Sequence, residues 1–368
     1  MDFESHLAKV EDLTSEIERE ERNERAERNE AETGFRTHSH IATDEYRDAF
    51  LDYCRFGAAR MRPERRMVLE APELRAQAVG TGSAGGYVVP QGFQAQLEKA
   101  LKAYGGMRSV SSILQTASGN DMPWPTVNDT AQVGEWLAEN TQAAGQDVAF
   151  GQVTFKAYKC SSKKVPVSIE LLQDSGVNLE SELANLLATR LGRLQNTAFT
   201  IGDGTGKPKG VVLDATLGKT GANGQMTTVT YADLVDLIHA VDPLYRPNCR
   251  WMFADSTLKA VLKLADSQQR PLWLPFGGSV AVGEPSNILG YPFTINQDVA
   301  AMAASAKSIL FGDFSKYKIR DVMGFTLLRL DEVAADYGQV IFLAFARVDG
   351  RLLDAGTHPV VYYANSAT

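Results

Sequence analysis

Residues 179–210 read LESELANLLATRLGRLQNTAFTIGDGTGKPKG, a leucine-rich stretch that runs into four glycines within nine residues. Its apolar residues recur every three or four positions, which predicts one buried face of a long helix. Asn178 is a suitable N-cap for that helix. The predicted face consists of Leu179, Leu183, Leu186, Leu187, Leu191, Leu194 and Ala198.

The glycine stretch Gly202–Gly210 invites comparison with a phosphate-binding loop, G-x-x-x-x-G-K-[ST]. Only three residues separate Gly202 from the Gly-Lys pair, and Pro208 stands where the pattern needs a hydroxyl. A phosphate loop also follows a strand and opens a helix, whereas this stretch follows a helix and precedes the strand-like residues Val211–Leu213. It therefore predicts a turn from helix into strand, and a nucleotide-binding enzyme using residues 202–210 is the weaker alternative.

Composition is that of an ordinary globular chain, with 44% hydrophobic and 22% charged residues. The net charge is −8, and residues 1–32 alone carry twelve acids against five bases. The rest is almost neutral and has no basic stripe, so we expect only weak, non-specific contact with nucleic acid. Three widely spaced cysteines fit a reducing cytoplasm, and no apolar run is long enough to predict a membrane span.

The N-terminal segment predicts two helical patches of different character. In residues 2–32, apolar side chains keep heptad steps among many charges, so this helix is expected either to be solvated or to bind a partner. Its candidate contacts for association as a scaffold are Phe3, Leu7, Val10 and Ile17. A second patch places Tyr46, Phe50, Tyr53 and Cys54 on one helix face.

Strand-like runs at 133–137 and 148–167 flank a polar tip, Glu139–Gln146, and predict a long β-hairpin. A two-stranded ribbon is marginally stable in water, so an aromatic-rich one needs a surface to lie on. We expect that surface to belong to a neighbouring copy of the chain. The candidate subunit-interface residues are Trp136, Phe150 and Phe155.

Helices and strands alternate over residues 228–330, beginning with a helix capped by Thr230 and Asp233. The run Gln339–Val348 is apolar on both faces and predicts a central, buried strand that closes at an Asp349-Gly350 turn. No catalytic motif for a hydrolase, a metalloprotease or a dinucleotide-binding enzyme occurs, and the five histidines are scattered. The sequence thus predicts no catalytic, cofactor-binding or metal-binding residues.

Six further pieces carry a family resemblance when they are taken in order along the chain. They are residues 85–90 (GGYVVP), 165–175 (VPVSIELLQDS), 202–210 (GDGTGKPKG), 290–292 (GYP), 312–317 (GDFSKY) and 346–350 (ARVDG). Together they resemble the major capsid proteins of tailed bacteriophages with the Hong Kong ninety-seven-type fold. The resemblance covers about residues 83–363 and implies an α+β fold.

The resemblance also implies a domain organisation. It implies a scaffolding-like segment with linker at 1–82, an N-terminal arm at 83–118 and an extended hairpin loop at 119–165. A peripheral domain with a long spine helix is expected from 166–207 and 319–348. An axial domain is expected from 208–318 and 349–368.

The function that the resemblance implies is assembly into the pentamers and hexamers of an icosahedral shell around packaged double-stranded DNA. The expected partners are the chain itself, a portal protein, a maturation protease and decoration proteins, with assembly in the bacterial host cytoplasm. Relatives that join subunits by a lysine–asparagine bond carry the lysine on the extended loop. No lysine occurs in Glu139–Phe150, which predicts that this crosslink is missing. A cellular nanocompartment shell with the same fold is the alternative.

Overall fold

A computed structural model describes residues 44–70, 86–88, 101, 106–128, 136–137, 142, 149–173, 179–265, 287–354 and 356–368. The chain divides into two compact units. The first unit comprises residues 1–96, 164–183 and 324–344, and the second comprises 97–163, 184–323 and 345–368. Among the described residues, no helix is long and apolar enough to cross a membrane.

The helices of the described chain range from one turn to six. They are α1 (Asp44–Phe56), α2 (Pro63–Leu69), α3 (Gly106–Val110), α4 (Ile169–Gln173), α5 (Leu179–Ile201), α6 (Val211–Asp214), α7 (Tyr231–His239) and α8 (Asp255–Leu262).

The strands are mostly short, apart from two that each extend over fourteen residues. They are β1 (Gly86–Val88), β2 (Ser112–Thr116), β3 (Met122–Asn128), β4 (Ala149–Phe155), β5 (Tyr158–Ser161), β6 (Val165–Ser168), β7 (Thr216–Thr220), β8 (Arg250–Phe253), β9 (Asn287–Ile288), β10 (Tyr291–Ile295), β11 (Lys307–Gly312), β12 (Tyr317–Leu330), β13 (Gln339–Leu352) and β14 (Val360–Ala364).

The second unit is built on a six-stranded mixed sheet in the order β7-β14-β11-β8-β10-β9. Helix α7 packs against this sheet, and its predicted capping box is confirmed because Thr230 and Asp233 exchange side-chain and backbone hydrogen bonds. The core between helices and sheet is closed by Trp251 and Phe311, whose ring centroids lie 4.4 Å apart. Within the described part of residues 228–330, the predicted alternation of helices and strands is confirmed by α7, β8, α8, β10 and β11.

Strands β12 and β13 contribute residues to both units. In the first unit β1 pairs antiparallel with Thr326–Leu328, and β6 pairs antiparallel with Gln339–Phe342. In the second unit β2 pairs parallel with Lys318–Val322, and β5 pairs antiparallel with Phe345–Val348. The central strand predicted over Gln339–Val348 is confirmed, with a partner strand along each half.

Two local predictions are wrong. Val211–Leu213 forms part of helix α6 rather than a strand. The short segment closes a turn on Gly210, because the amide nitrogens of Leu213 and Asp214 both donate to the Gly210 carbonyl. The expected Asp349-Gly350 turn is also wrong, since β13 continues through both residues to Leu352.

The long helix is confirmed, but its buried face is displaced from the predicted one. Leu183, Leu187 and Leu191 are buried, whereas Leu186 and Leu194 are 40% and 48% exposed. The buried track continues instead through the polar residues Gln195, Asn196 and Thr200. Those side chains are hydrogen-bonded in the second unit, so polar residues occupy interior positions that a hydrophobicity pattern assigns to leucine.

The glycines of residues 202–210 have a geometric role. A Cβ on Gly202 would lie 2.2 Å from the Pro208 carbonyl oxygen, and one on Gly210 would lie 2.5 Å from the Thr200 carbonyl oxygen. Gly204 and Gly206 have positive φ angles of 81° and 66°, which favour glycine. The chain thus turns back on itself tightly enough for the Gly210 amide to donate to the Gly202 carbonyl at 2.8 Å.

The polar groups of this turn bond within the protein. The Thr205 amide donates to Asp203 at 2.9 Å, a bond that lowers the pKa of the exposed Asp203 carboxyl. Lys207 pairs with Asp203, and Lys209 pairs with Asp214. The Tyr317 hydroxyl donates to the Lys209 carbonyl at 2.8 Å, and burial raises its pKa well above the ordinary value, so it remains a donor. These contacts support the prediction of a structural turn.

We expect Gly202→Ala to lower the free energy of unfolding by about 3 kcal/mol, because the added methyl group meets two backbone carbonyls at sub-contact distance. Thermal unfolding of purified subunits measures the change. Gly206→Asn is the matched control, since its site is open and asparagine tolerates positive φ. Equal losses in the two variants would contradict the close-approach argument.

Candidate functional site

Strands β3 and β4 form a separate two-stranded antiparallel hairpin in the second unit, in register from Met122↔Phe155 to Asn128↔Ala149. A hairpin is therefore present, with β3 at 122–128 as its first strand. Of the predicted first strand 133–137, only residues 136 and 137 are described, and they are not in a strand. The predicted second strand 148–167 is wrong beyond Phe155, because β5 and β6 pair with β13 instead. Pro123 and Pro125 alternate along β3, a pattern that belongs to edge strands because proline cannot donate to a sheet ladder. A ribbon of this kind depends on how its root is held.

Arg320 of β12 holds that root from within the protein, with only 2% of its surface exposed. Its Nη1 donates to the carbonyls of Phe155 and Lys156 at 3.1 and 3.3 Å, where β4 ends. Its Nη2 donates to the Ser118 carbonyl at 2.9 Å and its Nε to Thr116 at 3.0 Å, just before β3. One planar guanidinium thus fixes both chain ends of the hairpin.

Asp349 of β13 secures the same root from a second strand. Its Oδ2 accepts a hydrogen bond from the Lys156 amide at 2.6 Å, and its Oδ1 accepts one from the Gly350 amide at 2.8 Å. Burial raises the pKa of the Asp349 carboxyl, while the two amides and nearby arginines oppose the rise. Burial likewise lowers the pKa of Arg320, which Asp349 counteracts. Each charge therefore offsets part of the other's desolvation.

The neighbouring residue on β12 ties this root to the long helix. Asp321 forms a two-bond ion pair with Arg108 of α3, with both distances 2.8 Å. Arg108 is 5% exposed and also donates to Gln195 of α5 at 3.0 Å. Because successive strand residues point to opposite faces, Arg320 serves the hairpin while Asp321 serves the helices.

A second polar cluster joins α5 to the loop after β10. The Asn196 side chain accepts from the Met107 amide at 3.0 Å and donates to Asn296 and Asp298 at 2.8 and 2.5 Å. Asn296 in turn donates to the Thr200 hydroxyl at 2.8 Å. These fully partnered buried groups fix the orientation of α5 in the second unit.

The three predicted interface residues lie in different settings. Trp136, in the connection between β3 and β4, is fully exposed, and its neighbour Leu137 is 49% exposed. Phe155 is fully buried at the root, where its ring meets Trp124 edge to face at 6.1 Å. Phe150 lies on β4 and pairs with Val127 in the backbone register. Phe155 therefore serves the internal packing of the root, whereas Trp136 is exposed.

Other predicted contacts fall outside the described residues. Phe3, Leu7, Val10 and Ile17 all precede Asp44, where the description begins. No group of His, Cys, Asp and Glu side chains suited to hold a metal ion occurs among the residues that the structure describes. The sequence analysis missed Arg320, Asp321, Asp349 and Arg108, although charged residues inside an otherwise apolar strand pattern were a usable signal for the first three.

The family model and the solved structures that match this chain point to the same family of proteins. A sequence model of the phage capsid family matches residues 85–360, which is more than half of the chain. The capsid of a native GTA particle is 26% identical with a TM-score of 0.62, over 72% of this chain and 91% of that one. A structure from Mycobacterium phage Adephagia is 18% identical with a TM-score of 0.54, over 72% and 91% of the two chains. Microbacterium phage Oxtober96 gives 16% identity and a TM-score of 0.56, over 71% and 91%. A search of curated proteins finds no match.

We expect Arg320→Met to loosen the hairpin and to lower the free energy of unfolding by about 2–4 kcal/mol, because it leaves three carbonyls and the Thr116 hydroxyl without their buried donor. Limited proteolysis should then cut near residues 118 and 156, where the wild type is resistant. Lys318→Met, a half-buried position two residues away on the same strand, is the control. Unchanged cleavage in Arg320→Met would show that the guanidinium does not hold the root.

Proposed function

The chain belongs to the phage capsid family, and from this premise we propose that its copies join through the β3–β4 hairpin into the pentamers and hexamers of an icosahedral shell. As a member of this family it is a structural, non-enzymatic protein of the virion capsid, with the α+β capsid fold. The alternatives of a nucleotide-dependent enzyme and a cellular nanocompartment have no specific observation in their favour.

The observation that carries the proposal is the contrast along the hairpin. Its root is fixed by Arg320 and Asp349, whereas Trp136 in its connection is fully exposed. Tryptophan is enriched among the residues that dominate protein interfaces, and a rigid mount lowers the entropy lost on binding. An exposed tryptophan in the connection of a hairpin whose root is fixed therefore fits a contact with a neighbouring subunit.

The long helix offers a second surface of the same kind. Leu186, Leu194 and Ile201 are 40%, 48% and 48% exposed and recur at intervals of eight and seven residues, which places them on one face of α5. Contacts of a permanent assembly usually bury about 2,000 Å² or more, so a shell subunit needs several such surfaces. We propose that this face adds to the hairpin contact between subunits.

The contents of the shell follow from the family and the charge. We propose packaged double-stranded DNA as cargo, held without sequence-specific contacts, since the chain outside residues 1–32 is nearly neutral. A portal protein, a maturation protease and decoration proteins are the proposed partners, with assembly in the host cytoplasm. The lack of lysine in Glu139–Phe150 supports a shell without lysine–asparagine crosslinks.

The acidic N-terminal segment is proposed to act as a fused scaffold. Its heptad positions Phe3, Leu7, Val10 and Ile17 would pair with the same segment of other copies while the shell forms. Clustered acids on a segment this polar keep it soluble between such encounters.

We expect Trp136→Ser to reduce the number of closed shells at least tenfold in electron micrographs of the expressed chain. The melting temperature of the unassembled subunit should stay unchanged, because the Trp136 side chain is fully exposed. The control is Leu244→Ser, because Leu244 is also an apolar residue of the second unit and its side chain is 77% exposed. Shells of normal yield from Trp136→Ser would exclude the hairpin tip as a main contact.

We expect the double change Phe3→Ser with Leu7→Ser to give incomplete or irregular shells from a normally folded subunit, since it removes two heptad contacts at once. The control is a separate variant of the wild-type chain with Ala8→Ser and Ala26→Ser. These residues lie outside the heptad positions, so this variant should assemble as the wild type does. Particle counts and sedimentation profiles compare the two. Normal shells from both variants would remove the basis for a scaffold.

A further inference from the structure

Helix α1 buries an unusually complete apolar face for a segment so near the charged N-terminus. Tyr46, Ala49, Phe50, Tyr53 and Cys54 are each at most 2% exposed. They lie at i, i+3, i+4, i+7 and i+8, so they form one continuous stripe along the helix.

The neighbouring helix α2 is too small to cover that stripe alone. It has seven residues, of which Leu69 is buried while Met67 is 68% exposed. Its link to α1 includes an ion pair between Arg65 and Asp52 at 2.9 Å. The contacts of Tyr53 identify the end of β12 as part of the remaining cover.

Tyr53 is bound by Arg329 at two points. The Arg329 backbone amide donates to the Tyr53 hydroxyl at 3.1 Å, and the Arg329 guanidinium donates to the Tyr53 carbonyl at 3.2 Å. Arg329 also pairs with Asp331 at 2.9 Å, and its own side chain is 6% exposed. The strand end thus meets both the side chain and the backbone of a single helix residue.

The end of α1 lies beside the side-chain tips of Arg329 and Asp331, and its backbone there favours glycine. A Cβ on Gly57 would lie 2.5 Å from Arg329 Nη1 and 2.7 Å from Asp331 Oδ2, and Gly57 has a φ of 77°. The contact is buried, since Tyr53 is 2% exposed and the Arg329 side chain 6%, and the hydrogen bonds that form it join α1 directly to β12.

We propose that residues 44–70 stay bound to the end of β12 after the chain is cut between residue 70 and Gly86. The strand end around Arg329 is then a binding site for the α1–α2 segment, in a cut chain as in an intact one. Proteolysis in this interval would leave α1 and α2 as a non-covalent part of the subunit. Only a cut before Asp44 would release the acidic residues. This inference concerns the unassembled subunit, so it stands apart from the proposed assembly.

The test uses the full chain with the recognition sequence of a site-specific protease inserted between Gly82 and Ser83. After complete digestion, gel filtration under native conditions should give both fragments in one peak at a ratio of one to one by mass spectrometry. Elution of the N-terminal fragment in a separate peak would overturn the proposal. Shell formation is not scored, so a failure here is distinct from a failure of assembly.

Two variants test the contact that carries the inference. Arg329→Met and Tyr53→Phe each remove bonds between α1 and β12, and each should weaken retention of the cut fragment at least tenfold on serial dilution. Met67→Ser, on the exposed side of α2, should retain the fragment as the parent chain does. If both contact variants retain it as firmly as Met67→Ser, Arg329 is not the binding site. Tyr53→Phe keeps the ring, so it remains informative if Arg329→Met does not fold.

Discussion

The burial of the Arg320 guanidinium is the constraint on which the second unit depends. A buried cation is costly unless its donors are all used, and here they reach three backbone carbonyls and a threonine hydroxyl. Those acceptors lie on both chain ends of the hairpin. The bonds that make the charge tolerable are therefore the same bonds that fix the hairpin.

Strand geometry carries this constraint further into the fold. Arg320 and Asp321 are consecutive, so one faces the hairpin root and the other faces α3 and α5. Through Arg108 and Gln195 the ion pair reaches the long helix, and Asn196 connects that helix to Asn296. Polar residues take interior positions here because hydrogen bonds, unlike leucine contacts, select one orientation. A subunit repeated many times in a shell benefits from one fixed shape.

Patterns in the sequence correctly predicted the structural features that depend on residues close together along the chain. The capping box of Thr230 and Asp233, the long helix and the turn character of Gly202–Gly210 all follow from spacing within a few positions. The failures arose where a distant partner decides the structure. Asp349 resembles a turn residue, yet it lies within a strand because the Lys156 amide supplies its partner from 193 residues away. Leu194 fits the helical pattern, yet Gln195 takes the interior position because Arg108 is there to bond it.

The same distinction explains where the folded body begins. The glycines at 80–86 mark a change in composition, and a boundary placed there assigns everything before residue 83 to one detachable segment. The aromatic residues of α1 argue otherwise, since tyrosine and phenylalanine at helical spacing have a large area to bury and require a partner surface. Residues 18–32 are mostly charged and carry no such aromatic stripe. A run of glycines indicates where the backbone needs conformational freedom. Buried aromatic side chains indicate which segments pack against the folded protein. By that criterion α1 is attached to the strand against which it packs, and a boundary at residue 83 separates two segments that are in contact.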